Sequence, residues 1–181
     1  MPFTTSTSTQ PTCQPPVVTP TADEMVVMIY ETCAPAEGDD RILAGLLPVE
    51  RVIPASQGTL RAAMTELVAG PTWDETRAGF GSWFSADTAD ALLDVTIDEG
   101  LAMIDLDGEV ILGLDNVGTS TGGDFFRGQL YGTAFAIDGL ESVGFSINGD
   151  TSPFCFMMEL IPDCTPIMRA EWDETYAQTA G

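Results

Sequence analysis

The chain has 181 residues, 44% of them apolar, which is enough for one well-buried core and too few for two large domains. Its 28 acidic residues stand against six basic ones, all arginine, with no histidine, and the net charge of −22 opposes phosphate backbones and anionic lipid headgroups. Nucleic acid is therefore not an expected partner, and catalytic schemes that need histidine or lysine within this chain are unavailable.

Taken in chain order, the first element is a Thr- and Pro-rich stretch over residues 1–23 that reads as a linker or stalk, interrupted by Cys13. Residues 25–30 form a compact run of Met, Val, Ile and Tyr that predicts a buried strand. A second strand is predicted over 49–53, where Val49, Arg51 and Ile53 alternate with Glu50 and Val52, and Pro48 marks a strand start or a sheet edge. Leu60, Ala63, Met64, Leu67 and Val68 make the stripe of an amphipathic helix that Gly70-Pro71 stops. Thr72 with Glu75 is a capping-box pattern for a short helical turn ending near Gly79.

Leu93, Val95 and Ile97 alternate with polar residues, Glu99-Gly100 supplies a turn, and residues 101–106 are mostly apolar, so a β-hairpin is predicted. Phe126, Leu130, Ala134 and Ile137 recur at helical spacing, with Asp124 placed to cap that helix and Gly139 placed to end it. Val143, Phe145 and Ile147 alternate with Ser142, Gly144 and Ser146. The Asn148-Gly149 pair then predicts a turn into a second strand over 154–160. This order gives an α+β fold: a mixed β-sheet of five or six strands with two main helices packed on one face, in a single domain spanning 24–172, followed by a tail over 173–181.

The four cysteines, Cys13, Cys33, Cys155 and Cys164, form an even set without a CxxC pair, and no histidine completes a zinc site. Two disulfides follow, placing the mature protein in an oxidising compartment outside the cytoplasm. Of three possible connectivities, Cys155 with Cys164 and Cys13 with Cys33 are preferred because each closes a short loop. No segment has the apolar length of a membrane span, and the N-terminus has no export signal of its own. Export then implies a signal removed ahead of Met1.

No cofactor or metal is expected. Residues 105–109 hold Asp105, Asp107 and Glu109 but not the ligand spacing of an EF-hand, and residues 118–123 are glycine-bearing without being a GxGxxG or Walker loop. Two carboxylates acting as a glycan hydrolase remain the competing enzymatic reading, since that chemistry needs only a pair of acids at about 5 to 9.5 Å. The acidic surplus itself is read first as solubility or a saline habitat, and second as complementarity to cations or a basic partner. Trp73, Trp83, Phe84, Phe125 and Phe126 fit core or core-margin positions, and the adjacent pair Trp83 and Phe84, in a predicted loop, is the candidate partner contact.

Several segments resemble, in order, the GerMN family, the sporulation and spore germination domain. Residues 47–51 (LPVER) and 60–72, ending in LVAGPT, are similar to the family's variable strand and its helix ending in L-x-x-G-P-T; Ala78-Gly79-Phe80 follows like the family's A-G-L step. Residues 93–106 are similar to its hairpin, with Asp105-Leu106 closing; Gln129-Leu130-Tyr131 resembles its Q-L-V-Y helix, residues 139–150 its strand and Asn-Gly turn, and 166–172 the tail of some actinobacterial members. The chain departs from the pattern in its four cysteines, in Trp83-Phe84 and in having no lysine. The resemblance covers roughly residues 25–172 and implies an extracytoplasmic envelope module, in some members a lipoprotein or signal-anchored, that contributes to protein assemblies during sporulation or to cell-wall processes. It brings no catalytic residues with it. The leading expectation is then a non-catalytic interaction module whose edge strand or loop surface contacts another envelope protein or a wall polymer.

Overall fold

The structure is a computed structural model and describes residues 13–34, 45–55, 58–115, 117–158 and 164–175. Residues 1–12 of the expected stalk, 159–160 of the expected last strand and 176–181 of the expected tail lie outside the described residues.

Strand β1 (Glu24–Thr32) and strand β2 (Leu46–Pro54) pair antiparallel with Val27 opposite Arg51 and Ile29 opposite Val49. Because side chains alternate across a strand, Val27, Ile29 and Glu31 share one face with Val49, Arg51 and Ile53, and all six are buried. Helix α1 (Thr59–Val68) turns Leu60, Ala63, Met64, Leu67 and Val68 inward at the predicted spacing. It stops at Gly70, whose φ of +77° is easily reached only without a side chain, and an added Cβ there would fall 2.5 Å from Ser85 Cα. Helix α2 (Trp73–Ala78) carries the predicted capping box: Thr72 accepts from the Glu75 N–H and Glu75 returns the bond to the Thr72 N–H.

A second sheet has the order β3-β4-β5-β6. Strands β3 (Leu92–Asp98) and β4 (Leu101–Leu106) are the predicted hairpin, and the connecting Glu99 and Gly100 both adopt positive φ, as a two-residue turn with the sheet's own twist requires. After β4 come the short helix α3 (Gly108–Ile111) and the long helix α4 (Ser120–Phe135), which return the chain to β5 (Ser142–Ile147) running parallel to β4. Two local expectations change here. The cap of α4 is Thr119, which accepts from the Gly122 N–H, while Asp124 lies inside the helix and pairs with Arg127. The Asn148-Gly149 turn leads not into a strand but into helix α5 (Thr151–Met157). Asp150 caps α5 by accepting from the Ser152 N–H, and Pro153, in the first helical turn where its missing N–H costs nothing, would have removed a bond from a ladder. The partner of β5 is instead β6 (Ile167–Met168), followed at once by α6 (Arg169–Thr175).

The class is thus α+β with six strands among the described residues, and α4 and α1 pack side by side against β1 while reaching β5 and β3 respectively. The strands divide into ladders of two and four, with the C-terminal end of the outer edge of β1 occupied. The Tyr30 N–H donates to Thr133 Oγ1 of α4, Gln129 Nε2 donates to the Tyr30 carbonyl, and Thr32 bridges Gly81. One core joins both sheets, and an aromatic chain runs through it. Tyr131 sits edge-on to Phe145 at 4.9 Å, Phe145 lies on Phe154 at 5.0 Å, and Trp172 of α6 closes over Tyr131 and Phe135 at about 6 Å.

Cys13 is bonded to Cys33 (Cα–Cα 6.2 Å) and Cys155 to Cys164 (5.3 Å). Cys13 is buried, and its N–H donates to the Ala78 carbonyl, so the segment ahead of β1 is held against α2 at that point. Among the described residues no helix is long and apolar enough to cross a membrane.

Candidate functional site

The densest polar constellation is centred on Arg51, an arginine that the β2 register places on the core side of an apolar strand. Its Nε and Nη2 grip Glu75 of α2 at 3.1 and 2.6 Å, Nη2 also reaches Glu31 Oε1 of β1 at 2.9 Å and the Gly70 carbonyl at 2.8 Å, and Nη1 donates to the Glu66 carbonyl and carboxylate. One planar guanidinium thereby ties β1, β2, the end of α1 and the start of α2 together, a geometry that lysine has too few donors to copy. Burial and the neighbouring Glu75 charge, opposed by Arg51, push the Glu31 carboxyl up to about 7, and its Oε2 is buried with no hydrogen-bond partner among the described residues. Burial acts on Glu75 in the same sense, but there the bonds from Arg51 and Thr72 outweigh it and leave the carboxyl below its ordinary range. With Arg51, Glu31 and Glu75 at most 6% exposed, this cluster is a clamp within the core and offers no face to a substrate.

The pair singled out from sequence divides. Phe84 is 1% exposed and stacks on Phe126, so as folded it has no surface to give a partner and the expectation of a contact there is corrected. The cause is α4, whose Gln129 accepts from the Trp83 N–H and draws the loop onto the core. Trp83 is half-buried and lies parallel to Phe125. Trp73 is exposed, with the Arg77 guanidinium 4.5 Å above its ring.

The acidic run at 105–109 is engaged locally. Asp105 accepts from Ser146 Oγ and the Gly149 N–H, fixing the Asn148-Gly149 turn, and Asp107 caps α3. At the start of α4 a dent of about 40 Å³ lies among Gly118, Thr119, Gly123, Arg127 and Met158, but Thr119 caps the helix and Asp124 answers the Arg127 charge. A second dent of about 30 Å³, among Met103, Tyr131, Phe154 and the Cys155–Cys164 bridge, is apolar and has room for about one water molecule. Among the described residues no three metal-capable side chains converge.

What remains open is an edge. In the β3–β4 hairpin, Asp98 and Leu101 flank the two-residue turn as a hydrogen-bonded pair, so Asp98, Thr96 and Asp94 aim their backbone groups at β4 while Ile97 and Val95 aim theirs outward. Those outward groups meet no partner among the described residues, and Leu93 and Ile97 are 44% and 54% exposed.

A disulfide-bearing α+β module with a clamped core and an open sheet edge is the class this architecture defines. Residues 34–152 match the family model "Germane: Sporulation and spore germination", and the chain belongs to that family. Among solved structures it is similar to the tandem GerMN domains of the sporulation protein GerM from Bacillus subtilis, at 18% identity and a TM-score of 0.56 over 86% of this chain and 48% of that one. The chain thus spans about half the length of that two-domain structure, and the likeness is one of fold. A candidate lipoprotein from Clostridium perfringens aligns over 86% of this chain and 95% of its own at 13% identity and a TM-score of 0.45. No curated protein matches the chain.

Proposed function

We propose that this chain is an extracytoplasmic, non-catalytic binding or scaffolding module of the bacterial cell envelope, acting in sporulation, germination or wall assemblies. Its partner is an envelope protein or a wall polymer. The observation that carries the reading is the pair of disulfides, Cys13–Cys33 and Cys155–Cys164, in a member of a sporulation and germination family, because such bonds persist outside the cytoplasm. The buried acids support the non-catalytic part. Glu31 and Glu75, the buried carboxylates displaced from ordinary titration, are sealed around Arg51 and do not line a cleft.

The test is fractionation of the native protein followed by thiol alkylation without reductant. Recovery outside the cytoplasm with no label, and four labels after reduction, is the expected result; labelled cysteines in a cytoplasmic fraction would overturn the compartment. Incubation with purified wall glycan addresses catalysis. New reducing ends that disappear in a carboxylate variant would replace this reading with a hydrolase.

A further inference from the structure

From the open edge we infer that β3 is a docking strand for a basic, extended segment of a partner protein, which adds to the four-stranded sheet beside Val95 and Ile97. The inference rests on the binding-module reading and names the site and the chemistry of its partner.

The other strand edges are partly closed or interrupted among the described residues. The outer groups of Tyr30 on β1 are taken by Thr133 and Gln129, and Thr32 is bridged to Gly81. On β2 the outward residues include Pro48 and Pro54, which bring no N–H and confine its open groups to Glu50 and Val52 between them, and β6 is two residues long and runs directly into α6. Strand β3 is seven residues long, has no proline, and presents two unpaired N–H and two unpaired C=O groups at Val95 and Ile97. Such a row is the template on which an extended peptide adds a strand, its main chain giving affinity and its alternate side chains giving selectivity.

Charge selects the occupant. Val95 and Ile97 offer apolar contact on one face, with the exposed Leu93 at the irregularity between Leu92 and Asp94, while Asp94 and Asp98, with Glu99 at the turn, offer negative charge beside it. An incoming strand with apolar residues alternating with lysine or arginine satisfies both faces. A second copy of this chain does not: two β3 strands pairing antiparallel about Thr96 would set Asp94 opposite Asp98, and the whole molecule carries −22. The chain's own Arg61 pairs with Asp94 at this edge, so a basic partner competes with that side chain for the carboxylate.

The experiment measures amide hydrogen exchange and peptide binding with a short capped peptide of alternating lysine and valine, using an alternating glutamate and valine peptide as control. Exchange at Val95 and Ile97 should slow by about tenfold or more with the lysine peptide and stay unchanged with the glutamate peptide. Ile97→Pro should abolish binding without loss of fold, because the deleted N–H points away from β4. A lysine peptide with N-methylated valines should fail on the wild-type chain, which keeps the test decisive should the proline variant unfold. Asp94→Asn with Asp98→Asn should weaken binding roughly tenfold, and Arg61→Gln should tighten it a few fold. Binding that survives Ile97→Pro or N-methylation, no binding at all, or protection of Val95 and Ile97 by self-association without peptide would each overturn the inference. A chain that fails here and still fractionates outside the cytoplasm with its cysteines oxidised keeps its role as an envelope module and loses only the β3 edge as its site.

Discussion

Arg51 shows how one residue can hold four elements. It stands on the core face between Val49 and Ile53, and replacing it by alanine leaves Glu31 and Glu75 buried without a counter-charge, at an expected cost of about 3–5 kcal/mol in urea unfolding. Glu66, the one partner in part exposed, should cost no more than about 1 kcal/mol on the same substitution. Glu31 adds a pH dependence. Its folded carboxyl is raised from 4.5 to about 7, so the folded state holds a proton that the unfolded chain releases. The stabilisation from that proton is complete below pH 4.5 and fades as pH rises through about 7, at roughly 1.4 kcal/mol per unit. Glu31→Gln should remove the downward slope of stability between about pH 5 and 7. An unchanged slope in unfolding curves taken across that range would refute the assignment. Glu75, with its carboxyl lowered, acts in the opposite sense and contributes above its ordinary range.

At the level of elements, the C-terminal α6 is fastened by Arg169. Its guanidinium donates to the carbonyls of Phe135 at the end of α4 and of Ile137 and Leu140 just beyond it, and lies over the Phe135 ring, so it supplies donors to carbonyls at and after the helix terminus. Arg169→Ala should cost about 2–3 kcal/mol and expose the chain after β5 to limited proteolysis, with Arg169→Lys restoring only part, since the ammonium's three donors sit on one nitrogen and the guanidinium reaches the three carbonyls from three. Helix α5 carries the lesson about sequence patterns. Residues 154–158 are a nearly unbroken apolar run, and periodicity alone does not separate a buried strand from a buried helix there. Asp150 and Pro153 were the local signals that decide it, and both favour a helix start.

For the molecule as a whole, the disulfides act on the unfolded chain. The Cys13–Cys33 bridge spans 20 residues and Cys155–Cys164 spans nine, so reduction should cost about 3 and about 2.5 kcal/mol respectively by loop-closure entropy. Paired serine variants, each compared with the wild-type chain in urea unfolding, separate the two. A loss below about 1 kcal/mol for the longer loop would mean that the buried Cys13 contributes little beyond its bond to the Ala78 carbonyl.

The sequence by itself determined the α+β class, the hairpin at Glu99-Gly100, the α1 stripe, the Thr72 capping box and the family, because each rests on contacts between residues near in the chain or on motifs kept in linear order. The signal for the clamp was also present, as an arginine in the inward register of an apolar strand, but its partners lie 15 to 24 positions away and no local rule pairs them. Tertiary structure decided the rest. Whether Phe84 is surface or core depends on where Gln129 and Phe126 of α4 come to lie, 42 or more positions on. The engagement of the β1 edge at Tyr30 depends on Thr133 and Gln129 of α4. The packing that engages β1 at Tyr30 and Thr32 leaves β3 uncovered, since what folds beside an edge helps decide whether it is open.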